Sequence, residues 1–170
     1  MKFPLRVCFI EYSKLFDCVW HAELWESLKE LGFKRIIHLI KALYEGQESA
    51  VKLEDGTSEW FKVEKGVRQG CILSPYLFSA YTETIMRNVA TEHHNEYHDV
   101  LKASGQEVSD LRYADDTALL SGSEQGLQAL INTVNDHSAK KGLKLNVKKT
   151  IIIDTNSCMS PSSIMETEKK

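Results

Sequence analysis

The run Leu111-Arg112-Tyr113-Ala114-Asp115-Asp116-Thr117-Ala118-Leu119-Leu120 limits what this chain can become. Short apolar segments bounded by turn-forming residues read as strands, here about 109–113 and 117–121 with Ala114-Asp115-Asp116 between them. One Asp at a turn has an ordinary use, capping its own backbone. Two adjacent carboxylates hemmed in by Leu111, Tyr113, Ala118, Leu119 and Leu120 repel each other, and a hard divalent cation relieves that repulsion because it takes oxygen ligands. Paired ions about 3.5–4 Å apart can clamp the attacking and leaving oxygens of a phosphoryl transfer. Such chemistry calls for a further carboxylate from a neighbouring strand, and Glu11, near the end of VCFIEY (7–12), is the candidate.

The remaining pattern supplies the elements around that turn. VCFIEY is β-branched and aromatic, as a buried strand is. Leu24, Leu28 and Leu31, followed by Gly32, predict a helix over about 21–31; Ile36, Ile40 and Leu43, followed by Gly46, predict a second. Residues 50–53 and 60–63 flank Asp55-Gly56, a hairpin signal in which Trp60 and Phe61 read as packing residues. A loop, GVRQGCILSP (66–75), leads to Pro75 at a helix first turn, with Phe78, Tyr81, Ile85 and Val89 as its apolar stripe. The polar TEHHNEYHD (91–99) reads as a loop, and its His93, His94 and His98 as exposed residues rather than metal ligands. Ser121 and Glu124 have capping-box spacing ahead of a helix carrying Leu127, Leu130, Ile131 and Val134 and ending at Gly142. Asp17 reads as a turn or N-cap residue. A last strand is expected through 143–145, with a further extended run at 150–154. With the inserted hairpin and helices removed, the order is β-α-β-β-α-β, an α+β ferredoxin-like antiparallel sheet backed by helices. The expected organisation is one domain over 1–154 and a disordered, Ser-rich tail over 155–170.

Composition excludes less than the motifs include. A net charge of -3 gives no support to electrostatic nucleic-acid binding by the chain as a whole, yet Lys140, Lys141, Lys144, Lys148 and Lys149 form a local basic cluster. Cys8, Cys18, Cys71 and Cys158 form no CxxC pair, which argues against zinc. No apolar stretch has the length of a membrane span, and the expected setting is intracellular, cytoplasmic or nuclear.

Four blocks, CFIEYSKLFDCV (8–19), GVRQGCILSP (66–75), LRYADD (111–116) and GLKLNVKKT (142–150), occur in this order. Together they resemble the reverse transcriptase of LINE-type non-LTR retrotransposons, over about residues 7–153. The resemblance implies a polymerase palm that carries out RNA-directed DNA synthesis with Mg²⁺ or Mn²⁺. Its partners would be an RNA template, a DNA primer and deoxynucleoside triphosphates. It implies that Asp115, Asp116 and Glu11 are the catalytic, metal-binding acids. Phe16 would be the aromatic wall against a ribose 2′-hydroxyl, Gln69 and Gly70 would face the nucleotide, and Lys149 would lie near the triphosphate. Arg68 and Lys148 would contact nucleic acid.

The chain also departs from that family. Glu11 stands where the family has Asp, and Leu15 and Trp20 stand where it usually has a small residue and an acidic one. The family's fingers, thumb and endonuclease are not expected within these 170 residues. The expectation is a palm fragment with weak activity alone, helped by a partner that supplies fingers and thumb. The alternative is a non-catalytic relic that binds nucleic acid or a protein.

Overall fold

The computed structural model describes residues 5–96, 101–103, 105–113 and 116–154, with the side chains of 93–96 and 103 left aside. The backbone divides into two compact units, Met1–Leu15 with Ile85–Lys170, and Phe16–Thr84.

In chain order the elements begin with strand β1 (Arg6–Ile10), a 3₁₀ turn (Leu15–Asp17), and helices α1 (His21–Glu30) and α2 (Ile37–Tyr44). Four two-residue strands follow: β2 (Glu48–Ser49), β3 (Lys52–Leu53), β4 (Gly56–Thr57) and β5 (Phe61–Lys62). Then come α3 (Ser74–Glu96), β6 (Leu101–Ala103), β7 (Gln106–Val108), β8 (Asp110–Tyr113), β9 (Asp116–Ser121), α4 (Glu124–Lys140) and β10 (Ile151–Asp154).

The first unit carries a four-stranded sheet in the order β10-β1-β9-β8. Every pairing in it is antiparallel. This is the α+β, β-α-β-β-α-β palm arrangement expected from the sequence. Alternation decides its faces, because paired residues share a side. Cys8 pairs with Leu119 and Ile10 with Thr117; all four are buried. α4 packs on β9 and β1 and contributes the buried Leu127, Leu130, Ile131 and Val134. Each such apolar side chain, fully buried, is worth about 1.5–3 kcal/mol. The opposite face carries Phe9, paired with Ala118 and Ile151, and Leu111; Phe9, Ile151, Ile153 and Leu111 are exposed.

α4 starts at Ser123, whose Oγ accepts from the Gly126 N–H at 3.0 Å. Ser121, the residue suggested by capping-box spacing, is instead the last residue of β9, and its Oγ accepts from Ser123 N at 3.3 Å. The helix stops where Gly142 takes a φ of +76° and Leu143 N–H reaches back to the Ser138 carbonyl at 2.9 Å, a Schellman closure. Residues 143–145 do not form a strand; Leu145 makes a single antiparallel bridge to Tyr12, and β10 alone completes the sheet. α3 continues through Glu96, so the expected loop at 91–99 is helical as far as it is described. The segment holds no Gly or Pro to stop a helix, and polarity alone does not end one. His98 lies outside the described residues, as does the tail at 155–170. The β6–β7 pair was not anticipated, although Ser104-Gly105 beside Leu101 is a turn signal.

The second unit holds α1 and α2, in contact with each other, and two ribbons. The inserted hairpin is split differently from its sequence pattern: β3 pairs with β4, while β5 returns to β2. Trp60 is 69% exposed and Phe61 is half exposed, so neither is the packing residue expected. A two-stranded ribbon offers no second layer to bury them. The buried stripe of α2 is Ile37, Ile40 and Tyr44, one residue displaced from the expected one, with Ile36 and Leu43 exposed.

Candidate functional site

In the first unit the β1–β9 ladder runs out at Ile10 opposite Thr117. The next residues outward are Glu11 and Asp116, and both belong to the face away from α4. Glu11 lies between buried Ile10 and buried Tyr12, so the alternation of β1 continues through it. Asp116 pairs across the hairpin with Tyr113, which is 83% exposed. Ala114 and Asp115, the tip itself, lie outside the described residues.

The end of β1 is held by a distant segment. Asn146 N–H donates to the Glu11 carbonyl at 2.7 Å, and Ser13 N–H donates to the Lys144 carbonyl at 2.8 Å. Below them the buried Tyr12 hydroxyl meets Ser138 Oγ at 2.9 Å. Burial pushes the Tyr12 phenol above its ordinary range, while the Ser138 hydrogen bond and the Arg112 charge act the other way. The Asn146 carbonyl accepts from Lys149 N–H and Thr150 N–H, both at 3.0 Å, and from Thr150 Oγ1 at 3.0 Å. This turn brings Lys149 Nζ to 2.5 Å from Glu11 Oε1. Lys148, in the same turn, is exposed. Asn146 and Tyr12 were not singled out by sequence reasoning: the roles of Asn146 are main-chain ones, and the hydroxyl partner of Tyr12 is 126 residues away.

Glu11 and Asp116 supply hard oxygen donors, the chemistry Mg²⁺ or Mn²⁺ prefers. Among the described residues no group of three or more His, Cys, Asp or Glu is placed to hold a metal ion. Asp115 is not one of those residues.

The second unit carries the remaining candidates. Phe16 stacks edge-on against Phe78, centroids 5.6 Å apart at 65°. Its carbonyl accepts from Val67 N–H at 2.7 Å, and Gly66 N–H donates to the Val19 carbonyl at 2.8 Å. Gly66 sits at φ +97°, where a Cβ would come 3.5 Å from the Phe16 carbonyl oxygen, so the GVRQG loop and the 3₁₀ turn are laced together by a residue that only glycine suits. Asp17 accepts a hydrogen bond from Gln69 Nε2 at 3.1 Å. The N-cap of α1 is Trp20, with no side-chain cap, so of the two roles expected of Asp17, turn residue or cap, it fills the first, in the 3₁₀ turn. Arg68 donates to the Leu43 carbonyl at 2.5 Å and lies over the Tyr44 ring at 5.6 Å; it is exposed but not freely solvated. Gly70 is exposed, and a Cβ there would meet nothing within 4 Å.

A profile described as "Reverse transcriptase (RNA-dependent DNA polymerase)" matches residues 5–160. The Retrovirus-related Pol polyprotein from type-2 retrotransposable element R2DM of Drosophila melanogaster is 30% identical over 153 residues, covering 87% of this chain and 14% of that protein. The RNA-directed DNA polymerase from mobile element jockey of Drosophila funebris is 29% identical over 148 residues, covering 84% of this chain and 15% of that one. The chain therefore spans about a seventh of the length of these relatives. Among solved structures, apo telomerase from Candida tropicalis superposes with a TM-score of 0.69 at 18% identity, covering 92% of this chain and 30% of that one. Telomerase from Candida albicans in complex with a fragment of telomeric RNA gives 0.68 at 14%, covering 91% and 27%. At these identities the structural likeness speaks for the fold.

Proposed function

Because the chain belongs to the reverse transcriptase (RNA-dependent DNA polymerase) family, we propose that it is the palm of an RNA-directed DNA polymerase of the non-LTR retrotransposon type. The register that sends Glu11 and Asp116 off the same end and the same face of the sheet carries this reading. In the reaction a primer 3′-hydroxyl oxygen bonds to the α-phosphorus of a deoxynucleoside triphosphate, pyrophosphate leaves, and the hydroxyl proton is lost. Glu11, Asp115 and Asp116 would hold Mg²⁺ or Mn²⁺, which when bound neutralises charge on the phosphates and favours the ionised hydroxyl. Phe16 is the wall that excludes a ribose 2′-hydroxyl; its ring is held edge-on by Phe78. Gln69 and Gly70 face the nucleotide, Lys149 serves the triphosphate, and Arg68 and Lys148 contact the template–primer. The partners are an RNA template, a DNA primer, deoxynucleoside triphosphates and further polypeptide that grips them. The reading sets the chain to work in the cytoplasm or nucleus; among the described residues no helix is long and apolar enough to cross a membrane.

Glu11 weakens the site relative to an aspartate. Its extra methylene moves the oxygens by about 1 Å, and misplacement of that size costs roughly 100-fold in rate. A second reading, a relic that binds nucleic acid or a protein without catalysis, is favoured by one observation: Glu11 is already neutralised by Lys149. Primer extension on an RNA template with Mg²⁺ or Mn²⁺ separates the two. Short, distributive products lost in Asp115→Asn and Asp116→Asn fit the polymerase; complete absence, with the chain folded, fits the relic.

A further inference from the structure

Lys149 and Glu11 are 138 positions apart, yet their charged ends meet at 2.5 Å. The contact is built rather than incidental. One residue, Asn146, ties down both main chains: its N–H holds the Glu11 carbonyl, and its own carbonyl holds Lys149 N–H. Both side chains are open to solvent, 62% for Lys149 and 45% for Glu11, so an ion from solution can reach the same carboxylate. Glu11 also has the length that makes the contact; an aspartate there would end one methylene shorter.

We infer that Lys149 is a resident counter-ion that a divalent cation must displace from Glu11, so that metal loading and release of the Lys149 ammonium are one exchange. This rests on the reading of Glu11 as a metal-binding carboxylate. The ammonium satisfies Glu11 before a metal arrives, and a divalent ion and an ammonium drawn to that one carboxylate repel each other. By reciprocity of linked equilibria, whatever draws Lys149 away, such as a polyphosphate, strengthens metal binding, and metal makes Lys149 available. Exposed ion pairs contribute little, so the exchange is easily reversed, as a step repeated at each turnover has to be.

The test is Mn²⁺ binding to the 170-residue chain, followed by loss of the free-ion paramagnetic resonance signal, with folding checked by circular dichroism. Lys149→Met should bind Mn²⁺ about two- to fivefold tighter than the unaltered chain, the range an exposed ion pair allows. Lys149→Gln, which keeps a polar stem, should do the same, and Glu11→Gln should bind more weakly. Lys144→Met removes an equal charge from the same segment and should leave the affinity unchanged. Equal affinity in Lys149→Met and the unaltered chain would overturn the exchange while leaving the metal site standing. Equal tightening by Lys144→Met would reduce the effect to bulk charge and overturn it also. No Mn²⁺ binding in any of these proteins would remove the metal site and the exchange together.

Discussion

Asp116 stands one position beyond Thr117, and Glu11 one position beyond Ile10, its ladder partner. Two acids 105 residues apart in the chain thus share an end and a face of one sheet. Gathering like charges at one sheet end has a cost, which, among the described residues, Lys149 offsets at Glu11 alone.

That cost gives a first prediction. A divalent ion that binds the folded chain and not the unfolded one raises stability by mass action, about 1.4 kcal/mol at tenfold its dissociation constant. For a protein of this size the melting temperature should rise by about 3–6 °C as Mg²⁺ is titrated. Differential scanning fluorimetry should show the rise shrink in Asp116→Asn and vanish in Asp115→Asn; a rise that survives both would place the ion elsewhere.

Glu11→Asp should increase primer extension on an RNA template, on the order of 10- to 100-fold over the unaltered chain. Gel-resolved products in the first minutes of reaction provide the measurement. A folded Glu11→Asp protein with no gain would count against a polymerase site.

The hydrogen bond between Tyr12 and Ser138 is buried. Tyr12→Phe leaves Ser138 Oγ unpartnered, which should lower unfolding free energy by about 1–3 kcal/mol, whereas the double change Tyr12→Phe with Ser138→Ala should recover part of that loss. Urea denaturation of the four proteins forms a cycle whose coupling term is expected to be clearly non-zero.

Alkaline pH should destabilise the fold. Burial pushes the Cys8 thiol from its ordinary 9.0 up to about 12, and the Tyr81 phenol from 10.0 to about 12. For both groups the folded state holds its proton more tightly than the unfolded state. Their stabilisation is therefore complete below about pH 9 and is lost as pH climbs from there towards 12. Unfolding free energies measured at pH 8, 9.5 and 10.5 should decline in that order, with a smaller decline in Cys8→Ala. At pH 8 the buried Cys8 should resist iodoacetamide until denaturant is added, while the half-buried Cys18 and Cys71 react first.

What could be read in advance was local. The β-branched and aromatic run VCFIEY, the short apolar run after Asp116, and the helical spacing of Leu127, Leu130, Ile131 and Val134 identified the sheet and its backing helix because burial selects such patterns directly. The acids drew notice because charge between apolar runs is a local contradiction, but the flanking Leu111 and Tyr113 that were expected to hem them in are exposed. What escaped depends on distance or on missing layers. Trp60 and Phe61 look like core residues until it is seen that no second layer covers their ribbon. The helical continuation to Glu96 was hidden because polar composition resembles a loop. Lys149 reaching Glu11, and Asn146 bracing both, follow from pairing across most of the chain. Sequence order offers no sign of that.

The position of β1 between β9 and β10 has a consequence for how the protein is made. β1 is made well before its lateral partners, gaining β9 only after about a hundred further residues and β10 later still. Until then its buried side chains have nothing to pack on, and closing so wide a loop is slow. A nascent chain cut short before Asn146 would keep both helices of the Phe16–Thr84 unit and the paired acids, yet its first strand would have no brace to set the glutamate. Translation must therefore pass Asn146 before Glu11 is braced beside those acids.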